Sequence, residues 1–419
     1  MQHSRLSRRW LICIVSVAAV AFLLKITLAL RTYGTNDVMT WEQDLAKFYA
    51  RGAVALYREG VQSVSPAGKP YNEQPFIHPP FVIHLLRFWG LLASISGLRL
   101  GFWMRFTCAV ADIGSLVVVW QIGKRLRTAF RPATLSLFAA CPISILISGF
   151  HGNTDPIMIL LALLSVYAIE AGKPPLLAGA LMGLAVSIKL TPLIFIPAAV
   201  LYLPRMRDRG YFSISLVGVF FVFGLPYILM NPLLVLGKLL SYRSIFGLWG
   251  WSRIVLLVRF DSHYGWIYEN FRDHGAAALI VLIVLLSIGM NLSPVRLPLL
   301  AQCGLIVSLF LFFTAGFGIQ YLSWLVPWVV YLPPAAAAAY YLTGGAFLFA
   351  VYTHWSGGFP WYLANSLEMQ DWSGPLVYYG LACWLGTGIL LLLFIDAWIK
   401  ERKIFVPKSS SGIPTTAEG

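Results

Sequence analysis

Four short stretches of the 419-residue chain hold side chains that could do chemistry together. The first is Tyr33-Gly34-Thr35-Asn36-Asp37, with Glu42 and Asp44 following on a short helical pattern that runs to Gly52. A carboxylate at the mouth of a cavity can take the proton of a hydroxyl nucleophile, which is general-base work. Asp37 and Asp44 are the two candidates, although an acid in a surface loop is often simply solvated. The second stretch is Phe150-His151-Gly152-Asn153-Thr154-Asp155-Pro156. Proline suits the first turn of a helix, and Asn, Thr and Asp suit the cap before it. Capping explains one of these polar side chains but not His151, Asn153 and Asp155 together. Lys189 is the third feature, an isolated charge between two apolar runs and three residues before Pro192. A lysine there either snorkels to the interface or holds an anionic group such as a phosphate. The fourth feature is aromatic. Tyr242-Arg243 lies near Trp249 and Trp251, and Gln320-Tyr321 precedes Trp324 and Pro327. Arg243 adds a second cation, and such rings either stack on sugars or form an interfacial belt. His78-Pro79-Pro80 reads as a turn that fixes the chain before the next helix. Phosphate-loop, zinc-protease and dinucleotide fingerprints are all missing, so those chemistries have no support.

Composition dictates what must position these residues. Hydrophobic residues make up 58% of the chain and charged residues 11%, with a mean hydropathy of +0.75. Soluble domains carry about 45–50% apolar and about 25% charged residues, so a soluble enzyme is excluded. Disorder is excluded too, except for the polar tail 409–419. The net charge of +14 would raise nucleic acid as a partner in a soluble protein. In a membrane protein, basic residues gather in short cytoplasmic loops, and no nucleic acid is expected. Cys13, Cys108, Cys141, Cys303 and Cys383 all lie inside apolar runs, without zinc or disulfide spacing, and read as small buried residues.

The apolar runs number about twelve, at roughly 20 residues per span. The expected fold is therefore all-α and polytopic. The run at 10–30 resembles a signal peptide only superficially and reads as a retained first helix. Basic clusters at 124–131, 205–209 and 400–403 place both termini in the cytoplasm when twelve helices are threaded. The segment 81–96 contains His84 and Arg87, and reads as a helix lying in the outer interface. One transmembrane domain, 1–408, is expected, followed by the cytoplasmic tail 409–419. Its long outer loops are 31–101 and 231–275, and the polar residues named above collect on that outer face.

In this order, Asn36-Asp37 with Trp41, His78-Pro79-Pro80, His151-Gly152-Asn153-Thr154-Asp155, Ile188-Lys189-Leu190-Thr191-Pro192 and Gln320-Tyr321 with Trp324 and Pro327 resemble the GT-C superfamily of polytopic glycosyltransferases. The likeness is to mannosyltransferases that use polyprenyl- or dolichyl-phosphate sugars, including glycosyltransferase family 87 and the first-mannose enzyme of GPI anchors. The resemblance implies a hexose transfer, mannose by kinship, from a lipid-phosphate-linked donor to a glycan or glycolipid acceptor in the membrane. It implies an acidic catalytic base in the first outer loop, where Asp37 matches best. Relatives often have a second acid just beyond; Val38 and Met39 stand there in this chain, which leaves Asp44 as the alternative base. His78, His151, Asn153, Asp155, Lys189, Arg243, Gln320 and Tyr321 become substrate-binding candidates, with no metal or other cofactor. A transporter or flippase for a lipid-linked sugar is the rival reading.

Overall fold

The computed structural model describes residues 7–64, 70–126, 131–241, 244–293, 295–366 and 374–405. The bilayer core offers no water to unpaired backbone groups, so apolar segments satisfy their own hydrogen bonds as helices. The chain begins with α1 (Arg8–Arg31), followed by an outer-loop module of β1 (Gly34–Thr35), α2 (Asn36–Glu59), β2 (Val61–Val64), β3 (Pro70–Gln74) and α3 (Phe81–Ser96). Then come α4 (Leu100–Arg125), α5 (Pro132–Ala139), α6 (Pro142–Leu146), a π-helical turn over Ile147–His151, α7 (Asp155–Glu170) and α8 (Pro175–Ile188). A 3-10 turn, Thr191–Phe195, leads into α9 (Ile196–Tyr202) and α10 (Met206–Met230). The second long loop holds α11 (Pro232–Leu240), β4 (Ile245–Phe246) and α12 (Gly250–Val255). The rest comprises α13 (Gly265–Leu292), α14 (Leu299–Phe313), β5 (Gly316–Phe317), α15 (Leu322–Leu325), α16 (Pro334–Trp355), β6 (Leu363–Ala364) and α17 (Pro375–Phe405).

Among the described residues, seven legs are long and apolar enough to cross a membrane: α1, α4, the composite 132–151, α10, α13, α16 and α17. The other five apolar runs form shorter or broken helices. Prolines explain the breaks. Pro192 opens a 3-10 turn, and Pro327 falls in the run 319–331, which is split into α15 and two 3-10 turns. Helix α3 forms over the stretch expected to lie in the interface. Leucines and valines such as Val20, Leu23, Leu285 and Leu292 remain exposed on α1 and α13, as a lipid-facing surface requires. Cys13 is exposed there as well, whereas the other four cysteines are buried. The expectation of burial thus fails for Cys13, because its face of α1 has no protein neighbour. Arg243 and the tail 409–419 lie outside the described residues.

Contacts at the two ends sort the legs. At one end β1 pairs in parallel with β6, Gly34 opposite Leu363, and β4 pairs antiparallel with β5. Thr35 donates to the His151 carbonyl at 2.6 Å, and Arg99 donates to the Tyr362 hydroxyl at 3.0 Å. At the other end Glu170 accepts from the Leu299 amide and from Tyr202, and Tyr331 donates to Glu401. The loops carrying Asp37, His151, Lys189 and Tyr321 therefore share one end of the bundle. A separate apolar cluster seats α2 there: Trp41, Leu56 and Tyr57 pack with Phe76, Ile83 and Trp89.

Several charged groups within the bundle are paired. Lys25 on α1 donates to Asp112 on α4 at 2.5 Å and to Ser144 on α6 at 2.8 Å. Ser144 and Ser148 donate to the same carboxylate at 2.6 and 2.5 Å. Arg105, fully buried on α4, donates to the Ala29 and Thr32 carbonyls at 3.0 Å. It therefore caps the open C-terminal carbonyls of α1 and fixes the chain just before Asp37.

Candidate active site

Asp37 lies in the first turn of α2, where the helix dipole favours a negative charge by about 0.3–1 kcal/mol. Its side chain is 34% exposed. Asn153 Nδ2 donates to Asp37 Oδ2 at 3.3 Å, and His151 Nε2 lies 3.3 Å from the same oxygen. Burial pushes the carboxyl pKa up, but the neighbouring His151 imidazole, the charge of Lys189 and the Asn153 amide outweigh it. The net pKa is lowered. Asp37 is thus held as a carboxylate with one side open.

Two glycines make this convergence possible. Gly34 has φ +108°, and a Cβ there would meet the Phe150 carbonyl oxygen at 2.8 Å. Gly152 has φ +81°, and its Cβ would meet Val38 Cγ2 at 2.4 Å. Only glycine tolerates that backbone and that approach. The π turn ends on His151, and Gly152 swings the chain so that His151 and Asn153 flank the start of α2. The Tyr352 hydroxyl on α16 lies 3.0 Å from His151 Nδ1, which leaves Nε2 to face Asp37. Asn153 is held in turn: its Oδ1 accepts from the Thr154 amide at 2.6 Å, and its carbonyl accepts from Cys108.

Beside this group is a buried ion pair. Lys189 Nζ donates to Asp155 Oδ1 and Oδ2 at 2.9 and 3.2 Å, and Trp324 Nε1 donates to Oδ1 at 2.6 Å. The ammonium lies over the Tyr321 and Trp324 rings, 5.2 and 5.3 Å from their centres. Tyr321 stacks on Trp324 at 3.9 Å, and its hydroxyl bonds to Ser244, which ties in the second long loop. Gln320 is half-buried, its carbonyl accepting from Ser323 at 2.7 Å.

His78 sits in the same electrostatic neighbourhood, its ring 4.6 Å from that of Trp41. Burial, and then the Lys189 charge, pull its pKa down to about 3 against the opposing pull of Asp37, so the imidazole is neutral at physiological pH. Asp44 differs from Asp37. It lies two turns along α2 on the same face, is buried, and has a carboxyl oxygen without a hydrogen-bond partner. Burial pushes its pKa up to about 8, with Lys47 pulling the other way. At neutral pH Asp44 largely keeps its proton. Among the described residues, no group of three His, Cys, Asp or Glu side chains converges as a metal set.

The structure thus gathers Asp37, His78, His151, Asn153, Asp155, Lys189 and Tyr321, while Asp44 stands apart in a buried niche. It adds Tyr352, Trp324, Thr35 and Arg105. Trp324 already stands in the aromatic motif, and Arg105 is an intramembrane charge of the kind that marks function or structure. Tyr352 has no local signal.

The sequence profile of Glycosyltransferase family 87 matches residues 76–312, more than half of the chain. The chain belongs to glycosyltransferase family 87. It is a polytopic membrane glycosyltransferase, and membership selects the enzyme over the transporter. The match includes His78, His151, Asn153, Asp155 and Lys189, and leaves Asp37, Gln320 and Tyr321 outside its limits. No curated protein matches the chain. Among solved structures, the crystal structure of ArnT from Cupriavidus metallidurans in the apo state aligns with a TM-score of 0.42 and 14% identity. That alignment covers 95% of this family 87 chain and 78% of ArnT.

Proposed function

We propose that this family 87 enzyme transfers a hexose, mannose by kinship, from a polyprenyl- or dolichyl-phosphate-linked donor to an acceptor hydroxyl on a glycan or glycolipid. Asp37 is the general base. The observation that carries this reading is a partly exposed carboxylate kept ionised by His151 and Asn153, with the Lys189–Asp155 pair beside it. The acceptor O–H gives its proton to Asp37 while its oxygen forms a bond to the anomeric carbon. The bond from that carbon to the phosphate oxygen breaks, and its electron pair leaves with the lipid phosphate. A single displacement inverts the anomeric centre. Negative charge grows on the departing phosphate, and a fixed positive group at that point favours the transition state over the ground state. Lys189 supplies that field from its position over Tyr321 and Trp324. The neutral His78 ring and the Asn153 amide offer hydrogen bonds that orient the sugar and acceptor. The reaction takes place on the lumenal or outer face, with both termini cytoplasmic.

The test is to incubate purified enzyme with a panel of lipid-phosphate sugars and measure released lipid phosphate together with new glycosidic product. Release that depends on an acceptor, and disappears in Asp37→Asn, supports the reading. Absence of release from every lipid-phosphate sugar, with turnover on a nucleotide sugar, would overturn the donor class.

A further inference from the structure

Away from the active site, α1, α4 and α5 leave an apolar groove of about 480 Å³ between them. Its floor includes Ala18 and Leu135, which are buried, and its lips include Val15 and Val117, which are exposed. Ala18 is small enough to leave a trough where a leucine would fill it. Phe22 lines the groove at the end nearer the active site and packs edge-on against Phe106 at 6.2 Å, which closes that end. Trp120 lines the other end. From Leu11 to Phe22, α1 runs about 17 Å along the groove at 1.5 Å per residue.

Beyond Trp120 the helix ends carry cations, Lys124 over Trp120 itself and Arg125 over Tyr167 of α7. Arg8 and Arg9 begin α1, Lys124 and Arg125 end α4, and Arg131 caps the start of α5; all five are exposed. Among the described residues none of the five forms an ion pair. Lys124 Nζ lies 3.6 Å from the centre of the Trp120 ring, so its charge sits at the mouth of the groove. At the ends of α1 and α5 the arginines work against the helix dipoles. A helix N-terminus is the positive end and favours acids, yet neither first turn contains one. Side chains from three helix ends therefore bring positive charge to this end of the bundle, with no acid ion-paired to them among the described residues.

We propose that this groove is a binding site for one anionic glycerophospholipid. An acyl chain fills the trough between Val15 and Val117, and the phosphate lies among Lys124, Arg125 and the arginines of α1 and α5. Basic pockets between membrane helices favour anionic head groups by about 1 kcal/mol per cation near the surface, and the apolar trough suits a single chain. The lipid belongs to the leaflet at the N-terminal end of α1, opposite the end that holds Asp37. The site does not depend on the sugar reaction, so the two readings stand or fall separately.

The test uses the full chain in mild detergent, with equimolar phosphatidylglycerol and phosphatidylcholine of matched acyl chains, and native mass spectrometry to count retained lipid. The wild type should keep one lipid, with phosphatidylglycerol favoured about tenfold or more. The double variant Lys124→Gln, Arg125→Gln should keep a lipid but lose the preference. Val117→Trp, placed on an exposed lip where the fold has room, should lose the retained lipid while staying monodisperse; Val15→Phe is the companion variant should that one misfold. Equal retention of the two lipids by the wild type would overturn the proposal. So would an anionic preference that survives Val117→Trp, or an intermolecular disulfide formed by Val15→Cys, which would put a second copy of the chain in the groove.

Discussion

Two aspartates on one face of one helix receive opposite protonation states from their surroundings. Asp37 has a helix N-terminus, an amide and an imidazole; Asp44 is buried and has an oxygen without a hydrogen-bond partner. Asp37→Asn should therefore lower transfer by about 10²–10⁴, the range for losing a general base, while Asp44→Asn keeps most of the rate. Steady-state release of lipid phosphate checks both, and the opposite ranking would move the base to Asp44. Because the Asp37 pKa is depressed, the rate should persist as pH falls and drop only below the usual carboxylate range. His151→Gln should shift that acid limb upward. For Asp44 the sign is reversed. Its folded pKa of about 8 exceeds the ordinary 3.8, so between these values the folded chain holds a proton that the unfolded chain releases. Stability from this group is full below pH 3.8 and declines until about pH 8. Thermal midpoints across that interval should flatten in Asp44→Asn; an unchanged slope would mean that Asp44 is not the titrating group.

At the scale of elements, the candidate site exists because a π turn, a glycine and a capped helix end meet. Gly152→Ala would force an unfavourable backbone and push a methyl into Val38, displacing the first turn of α2 from His151. A misplacement of about 1 Å can cost 10²-fold in rate, so kcat should fall by roughly that factor, and adding Val38→Ala should recover part of it. The Lys25–Asp112 pair joins α1, α4 and α6 beneath that turn. Asp112→Ala strands a buried lysine, which costs about 3–5 kcal/mol, whereas Lys25→Met with Asp112→Leu costs far less; unfolding in detergent distinguishes the two. Much of this arrangement was legible in the sequence. His151, Asn153, Asp155 and Lys189 stand out because polar groups at the edge of an apolar run are expensive unless used. The same rule selects Lys25, Arg105 and Asp112, whose roles are to clamp helices. Tyr352 was illegible, since its partner is 201 residues away and tyrosine is ordinary in a membrane helix. The ion pair of Lys189 with Asp155 was also hidden, because two residues 34 apart meet only when α7 and α8 pack antiparallel.

The whole molecule combines long and short legs. At 1.5 Å per residue, α7 is about 24 Å long and α8 about 21 Å, less than a hydrocarbon core of about 30 Å. Their ends meet at the Asp155–Lys189 ion pair, and irregular backbone at membrane depth is tolerated where it is buried in protein or lines a cavity. Twelve legs running alternately between the two ends return the C-terminus to the end where the chain began. The remaining question of sidedness has a direct test, because Cys108, Cys141, Cys303 and Cys383 are buried and Cys13 faces lipid along α1. The native chain should thus be nearly silent to a membrane-impermeant maleimide. Tyr362 is 53% exposed at the active-site end and Met206 is 75% exposed at the other. In right-side-out vesicles, Tyr362→Cys should label and Met206→Cys should not, with the pattern reversed in inside-out vesicles. If Met206→Cys labels from outside instead, Asp37 faces the cytosol, and the acceptor must be sought among cytosolic glycans.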